Sequence, residues 1–316
     1  MDAQIQILPE LQSVKSYVLP RNRWALSAMQ TFLRIVNRLH RRRFKHMMTR
    51  IRVCSTDKYK VPTVIIKPDK SQSLMPVLVY FHGGAFVMEG APSHFENAVR
   101  YAADAHCAVV FVEYRLAPQH VFPAGFNDCH AALLWTIANA AALGIDATRV
   151  VVGGDSAGGN LAAGVVQRAL QEDAIALKGQ MLLYPAVDLL CTRSSMTQFK
   201  NVPPFKDISA SGVADQYLGR VPSRPLPRYA SPIDGTLAGL PPAYIETPQF
   251  DPLHDQGIDY AKALKEVGVE VELNDIPGAI HGFDVVAPKS TVSFEAMRRR
   301  IAFLQCVFAT PSGDRA

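Results

Sequence analysis

A chain of 316 residues, 48% hydrophobic and 19% charged, has the apolar content for a large buried core, which excludes a disordered chain. Five cysteines (Cys54, Cys107, Cys129, Cys191, Cys306) are scattered without C-x-x-C spacing, arguing against a disulfide framework or zinc site and for reduced thiols in the cytoplasm. Eleven of the 33 basic residues and no acidic one lie between Leu11 and Thr56, leaving 22 against 28 acidic residues elsewhere, so the net charge of +5 is no sign of a nucleic-acid partner.

The start, Met1-Asp2-Ala3-Gln4, has no apolar core behind a basic flank, so no signal peptide is expected. No uncharged apolar run is long enough to span a bilayer. Residues 1–56 form the first composition block. Between Trp24 and Leu39 apolar residues recur as Leu26, Met29, Leu33 and Val36, with Phe32 and Ile35 alongside, which predicts an amphipathic helix. Its polar side carries Arg34 and Arg38 and leads into Arg41, Arg42, Arg43 and Lys45. The plain expectation packs the apolar stripe on the main body and leaves the basic side in solvent. A helix lying on a membrane or lipid surface is the competing reading, since basic amphipathic helices bind anionic lipid.

From Ile51 the pattern turns to short strands. Ile51 to Cys54 and Val61 to Lys67 suggest an antiparallel pair, and Pro76 to Phe81 a buried strand. A helix over Ser93 to His106, a strand over Ala108 to Val112 and a helix over Ala124 to Ala142 follow. After a strand at Val150 to Gly153 and a small-residue helix come strands at Gln180 to Tyr184, Ala243 to Thr247 and Val269 to Ile276. Helices are expected at Gln256 to Val267 and Ser293 to Phe308. This alternation specifies an α/β fold, a mostly parallel sheet covered on both faces. The proline-rich stretch of about 188–232 interrupts it, with one short helix near Ser209 to Leu218, and reads as a lid.

Gly154-Asp155-Ser156-Ala157-Gly158 matches G-x-S-x-G, in which a strand turns directly into a helix and lifts a serine above the sheet edge. A Gly-rich turn alone would look the same, so the rest of the chain decides. Serine needs a base, and the base needs an orienting group. Asp251 and His281 both follow later strands in the required order. His94, His106 and His130 fall on helices and read as satisfied structural histidines; Asp255 reads as a helix N-cap, and Asp284 lies too near His281. Attack on an ester carbonyl also requires N–H donors for the oxyanion. Gly83 and Gly84, ending a buried strand after His82, are the candidates, with Ala157 as the third.

The segments His82-Gly83-Gly84-Ala85-Phe86, Glu113 to Pro118 (EYRLAP), GDSAGGNL at 154–161, FDPLHD at 250–255 and His281-Gly282-Phe283 together resemble the hormone-sensitive-lipase-like carboxylesterases, over about 61–308. The resemblance implies an eight-stranded α/β-hydrolase core, catalytic domain 57–316, with a cap made of residues 1–56 and the insertion. It implies hydrolysis of short- to medium-chain acyl esters by Ser156, Asp251 and His281, with Gly83, Gly84 and Ala157 as oxyanion donors and His82 ordering the glycine loop. No cofactor or metal is implied, and a homodimer is common among such proteins. Ala85 stands where a third glycine is usual, and Glu113 and Gln119 replace the usual Asp and Glu. Phe86, Val87, the stretch Phe199 to Phe205 and apolar residues near Trp24 to Val36 are the expected pocket lining. An interfacial lipase, and a ligand-binding protein on the same scaffold, are the alternatives to a carboxylesterase.

Overall fold

The computed structural model describes residues 5–20, 22–68, 74–190, 192–206, 209–219 and 223–310. Strands β1 (Met48–Cys54), β2 (Lys60–Ile66), β3 (Met75–Phe81), β4 (Ala108–Val112), β5 (Ile145–Asp155), β6 (Gly179–Leu183), β7 (Ala243–Phe250) and β8 (Val271–Ile280) form one sheet in the order β1-β2-β4-β3-β5-β6-β7-β8. β2 runs antiparallel to both neighbours, and from β4 to β8 every pairing is parallel.

The central strands are apolar on both sides, so alternate residues feed two cores. In β3, Val77, Val79 and Phe81 face the core shared with α3 (Ala124–Ala138), α4 (Ala157–Gln171) and α7 (His254–Glu266). Leu78 and Tyr80 face the other core, filled from α2 (Pro92–Asp104) and α9 (Thr291–Ala309). Shorter helices α5 (Ser194–Gln198) and α6 (Ala210–Leu218) interrupt the stretch after β6, and α8 (Phe283–Val286) follows β8.

β7 and β8 run further than expected, to Phe250 and Ile280. They stay paired beyond an irregularity at Pro248, with Phe250 opposite Ile280. Asp251 and His281 are therefore the next residues after paired strand ends, not members of longer loops. His106 also departs from expectation: it sits in the turn beyond α2 with φ of +51°.

The first helix, α1 (Arg23–His40), forms as expected and turns its expected stripe toward the body, but the apolar residues beside that stripe stay outside. Leu26 is buried and Met29, Leu33 and Val36 are half-buried, yet Phe32 and Ile35 face outward with Trp24 and Leu39. Its buried face also carries Gln30 and Asn37, whose amides donate to the carbonyls of Val87 (2.7 Å) and Gly90 (2.6 Å). Nor is the basic side all in solvent: Arg41 is buried, paired with Glu113, and its guanidinium lies 4.6 Å from the Phe95 ring centroid. Gln119 donates to Ser27 of α1 at 2.6 Å, so Glu113 and Gln119, two of the three residues that depart from the family pattern, bond to the N-terminal block. A parallel bridge between Tyr17 and Phe205 joins that block to the inserted stretch.

Candidate active site

β5 ends at Asp155 and α4 begins at Ala157, so Ser156 has no residue over which to turn. It takes φ of +54° and ψ of −118°, outside the regions L-residues ordinarily occupy, a strain of about 1–3 kcal/mol. Its N–H donates to Leu183 O (2.8 Å) and its carbonyl accepts from Ala186 (3.1 Å), so β6 holds the turn in place. A Cβ at Gly158 would lie 2.0 Å from Phe81 O, so only glycine lets α4 leave so close to β3.

His281 Nε2 lies 3.0 Å from Ser156 Oγ, and His281 Nδ1 lies 2.7 Å from Asp251 Oδ2. All three are buried, Ser156 the least. The second Asp251 oxygen accepts from Leu253 N–H at 2.7 Å, fixing the carboxylate. The carboxylate selects the tautomer with its proton on Nδ1, leaving Nε2 to accept from the serine hydroxyl. Such a chain lets a hydroxyl lose its proton as it attacks. The Tyr184 ring meets His281 edge-on with centroids 5.0 Å apart, and Tyr184 Oη donates to Asp284 at 2.5 Å.

Phe81 pairs with Gly154, so the loop leaving β3 begins beside the serine turn. Among the described residues the N–H groups of Gly83, Gly84 and Ala157 are not spent on other hydrogen bonds. His82 is fully buried, its Nδ1 lies 2.7 Å from Gly83 O, and its ring stacks on Tyr114, whose hydroxyl donates to His82 O at 2.7 Å. Burial and the neighbouring His94 push its pKa down to about 4, so it is neutral near pH 7. Ala85, in the third-glycine position, takes φ of +51°, a conformation glycine adopts without strain.

Behind this loop Asp155 is buried, accepting from Tyr80 Oη (2.8 Å) and pairing with His94 Nε2 (3.0 Å). Burial opposes charge on both, but each outweighs that cost for the other: His94 is raised and Asp155 lowered from their ordinary pKa values. A Cβ on Gly83 would stand 2.2 Å from Asp155 Oδ2 and 3.0 Å from its carbonyl oxygen. Because Tyr80 and His94 hold that carboxylate, the loop must retreat. Gly83→Ala is expected to lower kcat by about 10²–10³-fold, the usual cost of one oxyanion donor. Steady-state kinetics on a circular-dichroism-verified variant check it; an unchanged kcat would take Gly83 out of the site.

The serine opens into a narrow pocket, about 40 Å³, walled by apolar side chains including Phe86, Leu189, Met196, Phe205 and Val213. Of the expected lining, Phe199 packs on Phe250 instead, while Phe86 and Phe205 are in this wall. Val87 is not: it packs with Leu26, Ala85 and Ala117 away from the cavity, and no α1 residue lines the wall. Met196 and Val213 were not foreseen: each lies on a short helix, α5 or α6, too brief for its pattern to show which face turns inward. Asp188 and Gln256, also in the wall, were missed; Gln256 Oε1 accepts from Asp188 N–H at 2.8 Å.

His94, His130 and His254 are each paired with carboxylates elsewhere, and Asp284 serves Arg300 and Tyr184. Asp255 does not cap its own helix, whose N-cap is Leu253; it accepts instead from Ser195 N–H (3.0 Å) and Ser194 Oγ (2.9 Å) of α5. Among the described residues no group of His, Cys, Asp and Glu is arranged to hold a metal ion, and no helix is long and apolar enough to cross a membrane.

The sheet order, the strained serine turn and the pocket above it define an α/β hydrolase. Residues 78–285 match the α/β-hydrolase fold family. The chain is 38% identical to carboxylesterase NlhH of Mycobacterium tuberculosis over 252 residues, 78% of each protein. It is 35% identical to the ethyl acetate hydrolase of Pseudomonas putida, over 72% of each. The crystal structure of esterase LipW from Mycobacterium marinum superimposes with a TM-score of 0.88 at 30% identity, covering 96% of this chain and 97% of that one. The chain belongs to the α/β-hydrolase family, among its hormone-sensitive-lipase-like carboxylesterases, and is a carboxylic ester hydrolase.

Proposed function

We propose that the protein hydrolyses short- to medium-chain acyl esters through an acyl-enzyme. Ser156 Oγ attacks the ester carbonyl while His281 Nε2 takes its proton, and Asp251 stabilises the imidazolium. The N–H groups of Gly83, Gly84 and Ala157 hold the charge on the carbonyl oxygen. His281 returns the proton to the leaving alcohol as the C–O bond breaks. A water, deprotonated by the same imidazole, then releases the acid and restores the serine.

The observation that carries this reading is the unbroken chain from Ser156 Oγ to His281 to Asp251, at 3.0 and 2.7 Å, beneath an apolar pocket. Phe205 and Val213 wall that pocket, which supports the assignment of residues 188–232 as part of a cap, with residues 1–56 joined to it at Tyr17 and Phe205. The relative named ethyl acetate hydrolase favours small acyl groups at the short end of the range.

A p-nitrophenyl ester series from acetate to palmitate tests it. Turnover is expected to peak at a short or medium chain, with a burst of one nitrophenolate per enzyme wherever deacylation is slower than acylation. A peak at palmitate would overturn the chain-length assignment, and no turnover on any ester would overturn the mechanism.

A further inference from the structure

Four large apolar residues of α1 face outward: Trp24 is 85% exposed, Phe32 64%, Ile35 56% and Leu39 53%. At about 100° per residue they fall on one side of the helix, with exposed Ala28 between them. A contiguous apolar stripe on a surface helix marks an interaction site. At its C-terminal end stand the exposed arginines Arg38, Arg42 and Arg43. Glu89 and Glu96, on the neighbouring loop and on α2, are already engaged by Arg34 (2.6 Å) and His40 (3.0 Å). The block from Leu11 to Thr56 has no acidic residue to neutralise the rest.

We propose that the outward face of α1 docks on an anionic phospholipid surface, with Trp24, Phe32, Ile35 and Leu39 entering the headgroup boundary and Arg38, Arg42 and Arg43 meeting lipid phosphates. Charge selects this occupant. Two copies pairing through this face would set together two basic blocks that hold no acidic residue, whereas an anionic surface neutralises the arginines while covering the apolar stripe. The opposite side of α1 packs Leu26 against Ala85 and bonds Gln30 to Val87 O, so the docked surface would lie on the flank of the glycine loop. The inference stands apart from the ester-hydrolase reading, which requires no surface.

The test uses the full chain and vesicles of phosphatidylserine and phosphatidylcholine in equal parts, with phosphatidylcholine alone as comparison. The chain has two tryptophans, Trp24 and Trp135, so a Trp135→Phe background makes Trp24 emission a local reporter. Most of the protein is expected to sediment with the mixed vesicles at low salt, with Trp24 emission shifting to shorter wavelength. It should be released near 1 M salt, where the screening length falls to about 3 Å. Phe32→Ser with Ile35→Ser is expected to abolish sedimentation and shift while leaving hydrolysis of a soluble acetate ester unchanged. Absence of sedimentation at low salt would overturn the proposal, as would sedimentation without an emission shift. So would a wild-type dimer that ignores vesicles and that the double variant converts to monomer, which would give the face to a second copy. Soluble-ester activity, read in parallel, keeps failure here separate from failure of the hydrolase mechanism.

Discussion

Alanine at Ser156 is expected to lower kcat on soluble esters by about 10⁵–10⁶-fold, and alanine at His281 to cost about as much. In the proposed mechanism the two act as one unit: without the hydroxyl the imidazole has no proton to take, and without the imidazole the hydroxyl has no base. Their 3.0 Å contact makes either loss complete, so the double variant should be no slower than either single one. A residual rate of about 10³–10⁴ over water should survive in all three, supplied by the N–H donors and substrate positioning. The decisive measurement is pre-steady-state hydrolysis of the three variants side by side. Fully additive losses in the double variant would show that Ser156 and His281 do not work together. The Ser156 variant should keep its stability or gain slightly, since alanine bears the same strained turn without a buried hydroxyl to satisfy.

Methionine at Arg300 is expected to destabilise the fold by about 3–5 kcal/mol, the usual cost of removing one partner from a buried ion pair. Arg300 has no solvent exposure. Its guanidinium donates to Asp284 (2.6 Å), Glu246 (3.2 Å through Nε) and the Tyr101 hydroxyl (3.3 Å). Burial opposes its charge, but the two carboxylates more than offset that and raise its pKa. Removing it leaves Glu246 and Asp284 as two buried carboxylates with no cation between them. The urea midpoint gives the answer, and a shift worth less than about 1 kcal/mol would mean the carboxylates find other partners. Lysine should recover only part of the loss, because one ammonium does not reproduce the planar fork that reaches both acids. Catalysis should weaken as well, since Asp284 accepts from Tyr184, whose ring abuts His281.

The sheet was legible because its strands are short apolar runs between turn residues, and a parallel sheet covered on both faces demands that composition. The serine turn was legible because glycine is the only residue its geometry admits at Gly158. Asp251 and His281 followed from chain order, though the strands leading to them proved longer than periodicity indicated, since pairing continued past Pro248. What could not be read was whatever depends on contacts distant in sequence. Nothing near His94 announces that it pairs with Asp155, 61 residues on, and nothing near Arg300 announces Glu246. The pocket wall was half-legible: Phe86 followed from the glycine loop, while Val87, its neighbour, points into a different cluster. Successive residues of a loop with φ of +51° at Ala85 and +63° at Phe86 do not alternate as a strand would.

The rotational phase of α1 is reinforced by polar hooks. Gln30 and Asn37 are two turns apart on one side, and each closes on a loop carbonyl at 2.7 and 2.6 Å. On the same side Leu26, Met29, Leu33 and Val36 turn toward the body, while Phe32 and Ile35 stay outside. The two amides add directional bonds to that apolar seating, so which side of α1 meets the world is held partly by donors that carry no charge. Leucine at both positions would keep the helix and its buried side, yet leave the carbonyls of Val87 and Gly90 without these donors and loosen the loop they hold.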